Sequence, residues 1–146
     1  MFDTSGGLDK EFMSMEITNI TQQIIGAAII VHRELGPGFL ESVYEAALCM
    51  ALTEAGLQFV RQVTIALRFH GNDVGQHRLD LLVEDAVVVE LKAVVAFEDI
   101  HFVTVRSYLK ATGKTVGLLL NFASTKLDVW RIGREWQSRA FAGAKT

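Results

Sequence analysis

Apolar side chains at Ile17, Ile20, Ile24, Ala28, Val31 and Leu35 recur every three or four residues, a spacing that predicts a helix over 17–35. Gly36-Pro37-Gly38 stops it, because proline cannot continue a helix interior and glycine relieves the turn. A second helical pattern covers 39–55 and ends at Gly56. Short β-branched runs at 63–69, 74–83 and 87–95 predict three strands, parted by the turn-forming Gly71-Asn72-Asp73 and Glu84-Asp85-Ala86. A third helix over 98–112 closes at Gly113, and strands over 115–122 and 127–132 follow. The order ααβββαββ defines an α/β (α+β) domain with a mixed sheet. Positions 1–16 are polar and aperiodic and predict a flexible N-terminal tail. The domain is expected over 17–140, with a second flexible tail at 141–146.

Composition narrows the class. The 146 residues match one domain, half of them apolar and 21% charged, a globular balance. The net charge of −3, from 14 basic and 17 acidic side chains, excludes a strongly basic, histone-like binder of nucleic acid. It leaves room for a local basic groove, for which Arg33, Arg61, Arg68, Arg106, Lys110 and Lys114 are the candidates. The single cysteine, Cys49, cannot form an internal disulfide and suits a reducing, cytoplasmic setting. Apolar stretches reach about eight residues, short of the ~20 that span a bilayer, so no membrane association is expected.

Several polar residues sit where apolar ones are expected. On a helical wheel of the second helix, Leu40, Val43, Tyr44, Ala47, Leu48, Ala51, Leu52 and Ala55 form the apolar arc. Glu41 falls inside that arc and Glu45 at its rim. A carboxylate on the core side is costly unless a cation or donors meet it; the plain alternative is a helix-start acid favoured by the dipole. In Val87-Val88-Val89-Glu90-Leu91-Lys92-Ala93, Glu90 and Lys92 share one face of a strand that otherwise reads as buried on both sides. If Glu84-Asp85-Ala86 is the hairpin loop, Val83 pairs with Val87 and Asp80 lies opposite Glu90, which aims both carboxylates into one pocket. On the third helix, His101, Thr104 and Tyr108 form a polar stripe separate from Phe102, Val105 and Leu109.

Asp80, Glu90 and Lys92 thus form a D-x9-E-x-K constellation on a predicted hairpin. Two carboxylates on adjacent strands offer hard oxygen ligands suited to Mg²⁺ or Mn²⁺. Lys92 beside them could orient an attacking water or screen a scissile phosphate, and the acids are expected to hold it by ionic contact. No P-loop, dinucleotide-binding G-x-G-x-x-G, C-x-x-C or nucleophile elbow points to another chemistry.

Gly38-Phe39-Leu40-Glu41-Ser42-Val43-Tyr44 matches G-x-x-E-x-x-Y, and with Arg61-Gln62-Val63, Arg78-Leu79-Asp80, Val89-Glu90-Leu91-Lys92, Ser107-Tyr108-Leu109-Lys110 and Gly117-Leu118-Leu119-Leu120-Asn121-Phe122 the chain resembles the GxxExxY protein family over 17–132. That family is placed in the PD-(D/E)xK nuclease-like superfamily. The resemblance implies a restriction-endonuclease-like αβββαβ core, here with an extra N-terminal helix and a C-terminal strand. It implies Asp80 and Glu90 as metal-binding acids, Lys92 as catalytic lysine, Glu41 as the helix-borne acid completing the metal site, and Tyr44 as its neighbour. It implies a Mg²⁺-dependent nuclease acting on nucleic acid, DNA ahead of RNA; the alternative is a non-catalytic module binding nucleic acid or a protein. A homodimer is expected by analogy with enzymes that cut both strands of a duplex. The chain departs from the pattern at Leu79, where proline is usual, and at Thr104, where glutamine is usual, so His101 is a candidate to take over that supporting role.

Overall fold

The computed structural model describes residues 5–143. Helix α1 (Ser5–Leu35) begins ahead of the expected start at 17, so the segment read as a flexible tail is helical from Ser5 onward, with 1–4 outside the described residues. Lys10 through Glu16 are all exposed and add nothing to the core. Once the buried turn at Ile20 and Ile24 is anchored, each further residue adds one hydrogen bond at low cost, and no proline interrupts the extension.

The Gly36-Pro37-Gly38 break has the expected form, with Gly36 at φ 70° and its N–H donating to His32 O at 2.8 Å. Helix α2 (Glu41–Glu54) has no side-chain cap. The Tyr44 hydroxyl supports its entry instead, donating to Gly36 O at 2.6 Å and accepting from Phe39 N at 3.1 Å, while the ring stacks on Phe122 at 4.8 Å.

Strands β1 (Phe59–Phe69), β2 (Asn72–Val83) and β3 (Val87–Lys92) precede helix α3 (Asp99–Thr112), and β4 (Val116–Asn121), β5 (Asp128–Ile132) and β6 (Gln137–Ala142) follow. The six strands lie in sequence order in one sheet, antiparallel except for the β3–β4 pair, which α3 connects in parallel. This is the mixed restriction-endonuclease-like sheet, with one strand more than expected. β6 carries no alternation and is largely exposed, as an edge strand can be, and it takes in 141 and 142 from the segment read as a tail; 144–146 lie outside the described residues.

Two apolar layers cover the sheet. Ile24, Ala28 and Val31 of α1 and Leu48 and Leu52 of α2 pack on Val87, Val89, Leu91, Leu118 and Leu120. Phe102, Val105 and Leu109 of α3 pack on the other face against Val88 and Leu119. All of β3 is buried except Lys92. Beyond Lys92 the Asn121 side chain replaces the backbone ladder, donating to Val94 O at 2.9 Å and accepting from Val94 N at 3.2 Å, which ends β3 three residues before the expected 95. Among the described residues no helix is long and apolar enough to cross a membrane.

Candidate active site

The β2–β3 loop is the three-residue Glu84-Asp85-Ala86, with Glu84 and Asp85 both at positive φ. It sets Val83 against Val87 and Leu81 against Val89, the register that places Asp80 opposite Glu90. There the backbone ladder stops and side chains take its place. Asp80 N donates to Glu90 Oε1 at 3.0 Å, and Leu91 N donates to Asp80 Oδ2 at 2.9 Å. The two acids do not sit side by side on one face as expected. They meet in the gap between separating strands, each capping the partner strand's backbone.

The packing on either side shows why. Leu81 and Val83 belong to the layer under α1 and α2, whereas Leu79, two residues on, belongs to the layer under α3. In β1, Phe59 packs with the first layer, and Val63 and Ile65 with the second. Simple alternation would keep each set on one face. Both strands therefore turn over at Gln62 and Asp80. Asp80 joins Glu41, Ser42, Glu45, Gln62 and Leu91 around a cavity of about 170 Å³ against α2. Glu90 follows Val88 in the alternation, toward Tyr108.

The electrostatics record the convergence. Burial pushes the Asp80 carboxyl above its ordinary value; Glu45 and Glu41 add to the rise, and the Leu91 N–H and Lys92 oppose it. Glu90, only 5% exposed, is pushed from 4.5 to about 8, first by burial and then by the Asp80 charge, with the Asp80 N–H and Lys92 opposing. Burial, then the charges of Glu90 and Asp80, raise the Tyr108 hydroxyl to about 12. Among the described residues Asp80 Oδ1 and Glu90 Oε2 accept no hydrogen bond, yet no buried polar atom is left unpaired. Both oxygens therefore remain accessible.

Glu41, Lys92 and Tyr108 thus lie within electrostatic reach of Asp80 and Glu90, with departures from the expected site. Among the described residues no group of three acids, histidines or cysteines is close enough to hold a metal ion. Lys92 forms no ion pair among the described residues. The stripe on α3 divides. Thr104 Oγ1 donates to Ile100 O at 2.7 Å, and His101 Nδ1 accepts from Glu98 N at 2.9 Å, so both serve their own helix. Tyr44 likewise supports the α1–α2 turn.

Sequence reasoning underrated Glu45 and missed Gln62. Glu45, 8% exposed, accepts from Arg61 Nη2 at 2.8 Å and Gln62 Nε2 at 2.6 Å. Its place at the rim of the apolar arc was the available signal; Gln62 stood out only as part of the Arg61-Gln62-Val63 motif. Four of the six residues proposed for a basic groove have partners of their own. Arg61 pairs with Glu45, Arg68 with Asp73, and Lys114 with Asp85, while Arg106 donates to Gln137.

A buried and a half-buried acid clasping separating strands of a mixed sheet, with a lysine two residues beyond the second, define a restriction-endonuclease-like protein. A family model described as the PD-(D/E)XK nuclease superfamily matches residues 18–132. The chain belongs to that superfamily. A solved structure titled "Crystal structure of SSO0001" aligns at a TM-score of 0.51 and 14% identity, covering 65% of this chain and 50% of that one. At that identity the likeness shows the fold, and this chain spans about half the length of that protein. No curated protein matches the chain.

Proposed function

We propose that the protein is a divalent-metal-dependent nuclease that hydrolyses phosphodiester bonds, with DNA as substrate, and that it is a member of the GxxExxY family. The observation that carries this reading is the Asp80–Glu90 clasp, because it leaves one accessible oxygen on each acid with Lys92 two residues away. Such a donor set fits Mg²⁺ or Mn²⁺. Hard oxygens suit these ions, and Mg²⁺ takes one or two carboxylates while keeping several waters, so a third acid is not required. Asp80 and Glu90 would hold the ion, with Glu41 and Glu45 across the cavity. When bound, the ion supplies Lewis-acid stabilisation of the negative charge that builds on the phosphate.

The chain's own residues do the remaining work. Burial and the Asp80 charge favour the protonated form of Glu90 in the cation-free state, with Oε1 taking the Asp80 N–H. Lys92, bound by no ion pair among the described residues, is free to meet the scissile phosphate or to orient the attacking water. Tyr108 keeps its proton throughout and walls the acids from the α3 side.

Cleavage of plasmid and single-stranded DNA with Mg²⁺ or Mn²⁺ tests the reading, with Asp80→Ala and Lys92→Ala as controls. Loss of cleavage in both variants is expected, and cleavage indifferent to both changes would refute it. The scattered basic residues favour a second reading, a module that binds nucleic acid or protein without turnover; metal uptake with no cleavage by the native protein would select it. Cutting a duplex on both strands takes two such sites, which a homodimer would supply, and the buried free thiol of Cys49 fits a cytoplasmic setting.

A further inference from the structure

We infer that Gln62 is a substrate-contacting residue of the nuclease site, its side-chain amide donating a hydrogen bond to a non-bridging oxygen of the bound phosphodiester. The inference rests on the nuclease reading and begins with the backbone. Among non-glycine residues at positive φ, His70, Glu84 and Asp85 lie in turns, and Gln62, at φ 52°, is the one inside a strand. In the β1–β2 ladder Arg61 faces Leu81 and Val63 faces Leu79, so Gln62 is the skipped position opposite Asp80. A left-handed conformation is unfavourable for a side chain with a Cβ and persists only where its surroundings enforce it; such residues gather at functional sites.

The side chain gives the conformation its use. Gln62 lines the same cavity as Asp80, and its amide nitrogen donates to Glu45 Oε1 at 2.6 Å. A carboxylate only accepts, so this contact fixes which end of the amide faces Glu45. The second N–H has no partner among the described residues, and the residue is exposed. The rest of the lining is Glu41, Glu45, Asp80, Ser42 and Leu91, a wall that repels an anion. Gln62 is the amide donor in that wall, and Glu45 holds it in one orientation.

The test uses Gln62→Gly and Gln62→Asn in the full chain. Both accept the left-handed backbone; the first removes the amide and the second withdraws it by one methylene. Relief of backbone strain offsets the lost Glu45 contact, so Tm is expected within about 4 °C of the native protein. The cleavage kcat is expected to fall about 100-fold in both, the scale of removing one donor to a developing charge. In EDTA, the affinity for a fluorescein-labelled single-stranded oligonucleotide, read by anisotropy, should fall at least about threefold.

Variants that cleave and bind like the native protein overturn the role of Gln62 and leave the nuclease reading standing. A native protein that binds the oligonucleotide but never cleaves, with affinity lost in both variants, supports the Gln62 contact while the nuclease reading falls. A native protein that does neither overturns both. A Tm drop of about 10 °C or more in both variants makes the amide a structural tie and overturns the proposal.

Discussion

Burial makes the Glu90 charge costly, and replacing it with an isostere should stabilise the fold. In the Glu90→Gln variant the side-chain carbonyl still accepts from Asp80 N, so the clasp survives while the ionisable group is lost. The folded carboxyl is raised from 4.5 to about 8. A raised acid favours the folded state fully below its unfolded pKa, and that advantage disappears as pH rises through the folded value. At about 1.4 kcal/mol per pH unit, the native protein at pH 7 should be about 3 kcal/mol less stable than it would be with a neutral group there. Urea unfolding of both proteins in EDTA measures this. The variant's advantage should be under about 1 kcal/mol at pH 5 and grow to about 3 kcal/mol at pH 7. An advantage that does not change with pH, or native stability that rises from pH 5 to pH 8, would refute the reasoning. The same variant should lose cleavage, a trade of stability for function.

Further outcomes follow from the same geometry. Millimolar Mg²⁺ or Mn²⁺ should stabilise the native protein by about 2.7 kcal/mol at a hundredfold excess over Kd, read as a rise in Tm at pH 7.5, and Asp80→Asn should abolish the shift; equal shifts would place the ion elsewhere. Thr104→Ala should leave cleavage within about twofold, since the hydroxyl serves Ile100 O, and a larger loss would return that residue to the site. Tyr44→Phe should cost about 1–3 kcal/mol in urea unfolding, because two hydrogen bonds at the α1–α2 turn lose their hydroxyl while the stack on Phe122 remains. Gly117→Ala should cost about 1–3 kcal/mol, since its Cβ would lie 2.7 Å from Val105 Cγ1 under α3.

The element order, the three-residue hairpin loop and the opposition of Asp80 to Glu90 were legible because periodicity and loop length fix them locally. The apolar arc was drawn one step off: Glu41, placed inside it, is exposed, and Glu45, placed at its rim, is the buried acid of α2. What escaped has a different origin. Alternation was assumed to run through Asp80, but both strands turn over there, so the acids interlock instead of pointing the same way. Gln62 escaped for the same reason, since its importance lies in a backbone angle imposed by neighbours distant in sequence. His101 and Thr104 occupy a helix face that the wheel drew correctly, but capping and back-bonding to the helix claimed their polar atoms first. β6 and the early turns of α1 bury little, and patterns of burial are what a sequence reader follows.

The amides of Asp80 and Leu91 are bonded to carboxylates instead of to carbonyls. Carbonyls keep their acceptor strength across the working pH range, whereas these acceptors change with every proton or ion the acids take up. Deuterium uptake at those two positions should therefore depend on acidity and on divalent salt in a way that the amides of Val87, Val88 and Val89 do not. The seam of the hairpin reports the occupancy of the site without any substrate present.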